Sequence, residues 1–310
     1  MVRFKPLLLP LFLLALTPLT HAQPAKIYVL NVNEAGTGWI DREVFTAAFI
    51  QKLKALNLDV EVEVVRSVGD WGRLVGEGVE GVILVNAHGE LVPIPSEYGG
   101  DWKAFYSKLA ELVREKGWVV VNVAGLGFYY IGNSEIEDVG LVRIVGVDGP
   151  IYLALSMGVS ITPMQQYRWP GPQILRYCEV SELGRRVFGV LGLDMPERLA
   201  IEWPLAMDVV PEWWLYELRT ENFTAYACVA IRAGRGMLLW SGLTMVSLET
   251  KVNAAAAMVA LVLDPELPYK EPRSRPLLTP AALGTLSFIV GAAVITLLLV
   301  YLVSKQLKRA

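Results

Sequence analysis

The chain has 310 residues, enough for one large or two small folded units with a well-buried core. Five of its 28 basic residues (Arg3, Lys5, Lys305, Lys308 and Arg309) and none of its 31 acids lie at the two ends, leaving a body of 23 bases against 31 acids. A body of net charge −8 without a basic cluster excludes a nucleic-acid partner, because phosphate binding needs concentrated Lys and Arg.

The first element is a secretory signal. Arg3 and Lys5 precede the apolar run 6–16, and the small-residue end at Thr20 and Ala22 predicts cleavage after Ala22, so that 1–22 is removed. The run is shorter than the roughly 20 residues of a bilayer-spanning helix. A body over 23–263 follows. Residues 26–31 read as a buried strand, and Asp41 as the N-cap of a helix with Val44, Phe45, Ala48, Phe49, Leu53 and Leu56 at helical spacing. Residues 60–65 alternate as a second strand, and a short helix covers about 70–76. The continuous apolar run 81–85 reads as a strand buried on both faces, as parallel sheets require. A helix capped by Asp101 and ended by Gly117 leads to another such strand over 118–123. This alternation is the pattern of an α/β fold: a mostly parallel sheet with helices on both faces. Residues 150–211, rich in Pro, Gly and aromatics, read as an irregular insertion. Beyond it, 225–232 and 237–240 read as a hairpin, and an Ala-rich helix over about 249–263 closes the body.

Five prolines between 264 and 280 predict an extended spacer. Residues 281–303 carry no charge and as a helix would be about 34 Å long, which predicts a C-terminal transmembrane helix in contact with membrane lipid. Lys305, Lys308 and Arg309 in the tail 304–310 place that end in the cytoplasm and the body outside, a single-pass protein of the cell membrane. Ser287 and Gly291, with Gly284 nearby, offer a small-residue face that a second copy of the chain would pack against as a homodimer.

Several residues are candidates for chemistry. His88 lies just past a buried strand, with Asn86 and Glu90 two positions away on either side, where open α/β sheets place ligands. A His and a carboxylate suit general acid–base work; the competing reading is a loop fixed by Asn86 and His88. No His/Cys/Asp/Glu set accompanies them at metal-ligand spacing, so no metal and no cofactor is expected. Gly125 and Gly127 predict a tight strand-to-helix turn or an anion-binding one, and Tyr129, between Phe128 and Tyr130, faces the same cleft. Cys178 and Cys228 are either a disulfide, allowed outside the cytoplasm, or two buried thiols. Asn222 heads the sequon Asn222-Phe223-Thr224, a glycosylation candidate in a polar loop. The aromatic clusters 167–170 and 213–216 are either core or recognition surface. Few Gln and Cys with many Val, Glu and Arg suit a thermophile.

In the order of its elements, and at the segments 82–90, 119–127 and 234–242, the body resembles the class I glutamine amidotransferase-like superfamily, over about 25–263. The resemblance implies a flavodoxin-like sheet. It also implies a nucleophile elbow at 123–127, yet the nucleophile position is Gly125, and His88 is the one histidine after the signal, far from the late position of the family's catalytic His. Without thiolate or base, the covalent chemistry of that class has no players. The expected function is therefore a membrane-anchored extracytoplasmic binding or accessory domain, working with another membrane or surface protein. The alternative is a hydrolase using His88 and Glu90.

Overall fold

The computed structural model describes residues 25–36, 40–132, 142–168, 173–174 and 176–271, without the side chains of 167, 168, 173 and 174. In chain order the first half runs β1 (Ala25–Leu30), α1 (Arg42–Ala55), β2 (Val60–Val65), α2 (Val68–Glu77), β3 (Ile83–Asn86), β4 (Leu91–Pro93), α3 (Trp102–Lys116), β5 (Val119–Asn122), β6 (Tyr130–Gly132) and β7 (Val142–Ile144). The second half runs α4 (Asp148–Ser156), β8 (Ile161–Pro163), β9 (Tyr167–Arg168), β10 (Gln173–Ile174), β11 (Cys178–Val180), α5 (Glu182–Leu191), β12 (Arg198–Leu199), β13 (Leu205–Met207), β14 (Trp213–Arg219), β15 (Thr224–Ala233), β16 (Gly236–Trp240) and α6 (Leu248–Leu263).

One mixed sheet organises the molecule, in the order β12-β11-β14-β15-β16-β5-β3-β1-β2, with β13 on β15 and β8 on β13. From β2 to β16 the neighbours are parallel, and Ile27, Ile83, Val119 and Met237 share one register row. From β16 to β12 they are antiparallel. The strands β3 and β5 are buried at every position, which is why they read as apolar runs rather than alternations. Helices cover both faces. Phe45, Phe49 and Leu53 of α1, Val187 of α5 and the whole apolar body of α6 pack on one; Trp71 and Leu74 of α2, Phe105 and Leu109 of α3 and Leu153 of α4 pack on the other.

Local signals set the helix ends. Asp41 and Asp101 each accept two backbone N–H groups at the starts of α1 and α3, and Ser67, Ser181 and Ser247 each accept one at α2, α5 and α6. Gly78, Gly117 and Gly192 end α2, α3 and α5 in the left-handed conformation that a side chain disfavours.

Three expectations change. The region 150–211, read as an irregular insertion, carries regular elements: its strands β8, β11, β12 and β13 widen the antiparallel part of the sheet. Residues 213–216, read as an aromatic cluster that is either core or recognition surface, lie in strand β14, with Trp214 packed on Tyr226 across the sheet at 4.9 Å between rings. The packed body continues past Leu263, because Leu267 and Pro268 form a buried turn against α5 rather than an open spacer. The signal, the segment 281–303 and the tail lie outside the described residues, and among the described residues no helix is long and apolar enough to cross a membrane. The aromatic side chains of 167–170 also lie outside them.

Candidate functional site

Three turns meet at the carboxyl ends of the parallel strands, the edge where open α/β sheets place ligands. They follow β3, β5 and β16 and are tied to one another: Ser241 N–H donates to Asn122 O at 3.1 Å, and Gly125 N–H to Leu243 O at 2.6 Å. The turn after β3 is fixed by its own side chains. Asn86 Nδ2 donates to Gly89 O and Leu91 O at 3.0 and 2.9 Å, and His88 N–H donates to Asn86 Oδ1 at 3.2 Å. His88 Nε2 accepts the Val32 N–H at 3.0 Å. Burial, reinforced by Arg42, holds the imidazole down at about 3, so it is neutral at any physiological pH. Asn86 and His88 therefore act as loop fasteners, and neither lines the cleft described below.

Glu90 is the hub of the site. Its carbonyl oxygen accepts the N–H groups of Tyr129 and Tyr130 at 3.1 and 3.2 Å, and its Oε1 accepts Leu126 N–H at 2.8 Å. The side chain lies over Gly125, where φ is +61° and an added Cβ would stand 2.0 Å from Glu90 Oε1. Gly127 is equally closed, since a Cβ there would meet the Asn122 amide at 2.4 Å. The turn thus has the left-handed kink of an elbow, but the room for an elbow side chain is filled by the Glu90 carboxyl. Phe128 follows at φ +66°, a strained conformation for a bulky residue. Its carbonyl oxygen accepts the Tyr106 hydroxyl at 3.0 Å and its ring packs edge-on against Tyr106. This kink leads the chain to the adjacent rings of Tyr129 and Tyr130, which meet near-perpendicularly at 4.7 Å.

The cleft above these turns has a volume of 530 Å³ and is lined by Glu90, Tyr129, Tyr130, Glu202, Trp203 and Thr244 among others, with Val147 and Met245 at its rim. Glu202 is fully buried, and its two carboxyl oxygens accept the Thr244 and Met245 N–H groups at 2.7 Å each. Lys251, in the first turns of α6, is 7 % exposed and acts electrostatically on both carboxyls. Burial raises Glu90 to about 7, opposed by the Leu126 N–H; it also raises Glu202 and lowers Lys251. Each group is thus pushed toward its neutral form.

The structure brings Glu90 and Tyr129 into one cleft, with Gly125 and Gly127 as the turn beneath them. Glu202, Trp203, Thr244 and Lys251 were missed by sequence reasoning. Glu202-Trp203-Pro204 sits in a Pro- and aromatic-rich stretch without periodicity, and Lys251 reads as a solvated helix residue. The one available signal was Glu202 as a lone acid in an otherwise apolar run from 199 to 207.

Cys178 and Cys228 are both free and buried, so the disulfide weighed in the sequence is not formed. They lie on strands β11 and β15, which β14 separates. Burial pushes the Cys178 thiol up to about 12 and the Cys228 thiol up as well, which suits inert core thiols. Asn222 is exposed in the turn between β14 and β15, where its N–H donates to Thr220 Oγ1. Among the described residues no group of three or more His, Cys, Asp or Glu is gathered as a metal site.

No family model matches the chain, and no curated protein matches it. Among solved structures, the crystal structure of beta-galactosidase from Bacillus circulans sp. alkalophilus is similar at 11 % identity and a TM-score of 0.40. The likeness covers 76 % of this chain and 31 % of that one, so the chain spans about a third of that enzyme. A likeness this distant bears on neither activity nor substrate.

Proposed function

We propose that this chain is an extracytoplasmic domain held to the cell membrane by residues 281–303, with a flavodoxin-like, glutamine amidotransferase-like scaffold whose cleft binds a ligand or partner without turning it over. It serves another membrane or surface protein as an accessory subunit. The observation that carries the reading is the occupied elbow: Gly125 has no side chain, and the space above it belongs to Glu90. A binding cleft can keep this strained turn for its shape while the covalent chemistry of the superfamily has no nucleophile to run it. The strand order β2-β1-β3-β5-β16 within the parallel part supports the scaffold assignment, because it follows the 2-1-3-4-5 order of flavodoxin-like sheets.

The hydrolase reading has one observation in its favour, a Glu90 carboxyl near neutrality, where a general acid or base works best. His88 supports it poorly, being neutral, buried and engaged with Val32. Purification of the tagged full chain from its own membranes in mild detergent tests the proposal. A stoichiometric protein partner is expected to co-purify. A chain that emerges alone, and hydrolyses ester, amide or glycoside probes in a Glu90-dependent way, would sink the accessory reading.

A further inference from the structure

We infer that the cleft takes an organic cation, an alkylammonium or guanidinium group, with its charge against Glu90 and its carbons among Tyr129, Tyr130 and Trp203. This deepens the binding reading above and rests on it.

The first observation is a missing positive charge. Two carboxyls and one ammonium are buried together: Glu202 at 0 %, Glu90 at 7 % and Lys251 at 7 % exposure. Lys251, from α6, can offset one carboxylate. Glu202, from the segment before β13, already has both oxygens on backbone N–H groups. Glu90 shares that single ammonium with Glu202 and has one backbone N–H on its carboxyl. Its Oε1 takes the Leu126 N–H, and the residue lines the cleft. Glu202 and Lys251 are the charged groups that act on it; the turn after β5 presents Leu126 N–H, and the tyrosines of the cleft wall lie beside it. With both carboxyls ionised, the group carries one buried negative charge more than Lys251 balances, which a protein tolerates only by protonation or by pairing.

The second observation is the wall. Tyr129 and Tyr130 present two ring planes at 67° to each other, Trp203 lines the same space, and exposed Val147 and Met245 make the rim apolar. Aromatic faces attract cations and their alkyl groups together, most strongly where water is excluded. A neutral ligand would leave the excess negative charge unmet wherever Glu90 is ionised, and an anion would face two carboxyls. The volume of 530 Å³ admits such a group together with the molecule that carries it. Without ligand, Glu90 holds a proton near neutrality; the cation takes that proton's place, so binding releases a proton and strengthens as pH rises toward 7.

The cation has two conceivable sources, a free small amine or the Lys or Arg side chain of a partner protein. Titration calorimetry of the full chain in detergent, in amine-free buffer, tests both with named probes: choline, its uncharged carbon isostere 3,3-dimethylbutan-1-ol, n-butylammonium and the blocked tripeptide acetyl-Gly-Lys-Gly-amide. Choline or an alkylammonium probe is expected to saturate the chain, with the uncharged isostere at least about tenfold weaker. Glu90→Gln, which keeps the shape and the Leu126 contact, is expected to weaken binding about tenfold to a hundredfold, and Tyr129→Leu to weaken it independently. Affinity is expected to fall about tenfold per pH unit below 7 and to level off above it. Equal affinity for the small ammonium and the tripeptide assigns the site to a free amine; a clear preference for the tripeptide assigns it to a partner's side chain. Equal binding of the uncharged isostere, no loss in folded Glu90→Gln, or no saturation by any cation overturns the inference. Recovery of the probes by mass spectrometry separates this from the reading beneath it: unchanged probes leave the non-catalytic reading standing even if no cation binds, whereas a chemically altered probe sinks that reading.

Discussion

At the scale of residues, Glu90 sets a cost that pH can reveal. Its ordinary carboxyl value of 4.5 is raised to about 7 in the folded chain, chiefly by burial, with the Glu202 charge adding to it and Lys251 opposing it. The folded state therefore keeps a proton that the unfolded chain releases between those values. The stability tied to that proton is present below about pH 4.5 and is lost as pH rises to 7. Glu90→Gln removes this titration while keeping the acceptor for Leu126. Relative to the variant, the native chain is expected to lose roughly 1–3 kcal/mol of stability between pH 5 and pH 8. Because Glu90, Glu202 and Lys251 titrate as a group, only the difference between the two chains isolates the effect. Denaturant unfolding at both pH values measures it, and a difference that stays constant with pH would contradict a buried, raised Glu90.

At the scale of elements, α6 shows how tightly the sheet is covered. Residues 251–261 are all buried, and the run Ala254–Ala257 lets the helix lie close to α1 and to β15. A larger side chain has no space there. Ala256→Leu is expected to destabilise the chain by about 1–3 kcal/mol through overpacking, read as a lower urea midpoint with an unchanged slope. The apolar pattern made this helix legible in the sequence, as it did α1, α3, β3 and β5, because one face or both faces of each element are dry. The antiparallel strands were harder to see. In β14, Leu215 and Tyr216 lie successively on the same face of the sheet, and so do Ala227 and Cys228 opposite them in β15, with Cys228 at φ +46°. That shared kink breaks the two-residue alternation by which strands are read. The short strands β8, β11, β12 and β13 carry two or three residues each, too few for any period to register. The site divided in the same way. Glu90 and Tyr129 were legible because they follow recognisable strands, whereas Glu202 joins the cleft, and Lys251 comes within reach of its carboxyls, through long-range packing that local spacing does not encode.

At the scale of the whole molecule, the described body accounts for its own core. Both faces of the sheet are covered by helices, and the chain from β1 to the turn at Leu267–Tyr269 packs into it. The body's excess of acids over bases repels an anionic membrane surface rather than seeking it. In the proposed topology the hold on the membrane comes from 281–303, whose uncharged stretch would be long enough as a helix to cross the hydrocarbon core. This separates two behaviours that can be measured side by side. A chain comprising 23–271 is expected to stay soluble without detergent and to unfold at the same temperature as the full chain within a few degrees. The full chain is expected to remain in the membrane pellet after alkaline carbonate extraction, which strips proteins held only by surface charge. Release of the full chain into the supernatant would remove the anchor from the proposed topology. It would leave the cleft and its two carboxyls untouched, since they are built by the turns after β3, β5 and β16 and by the segment before β13, all within the described body.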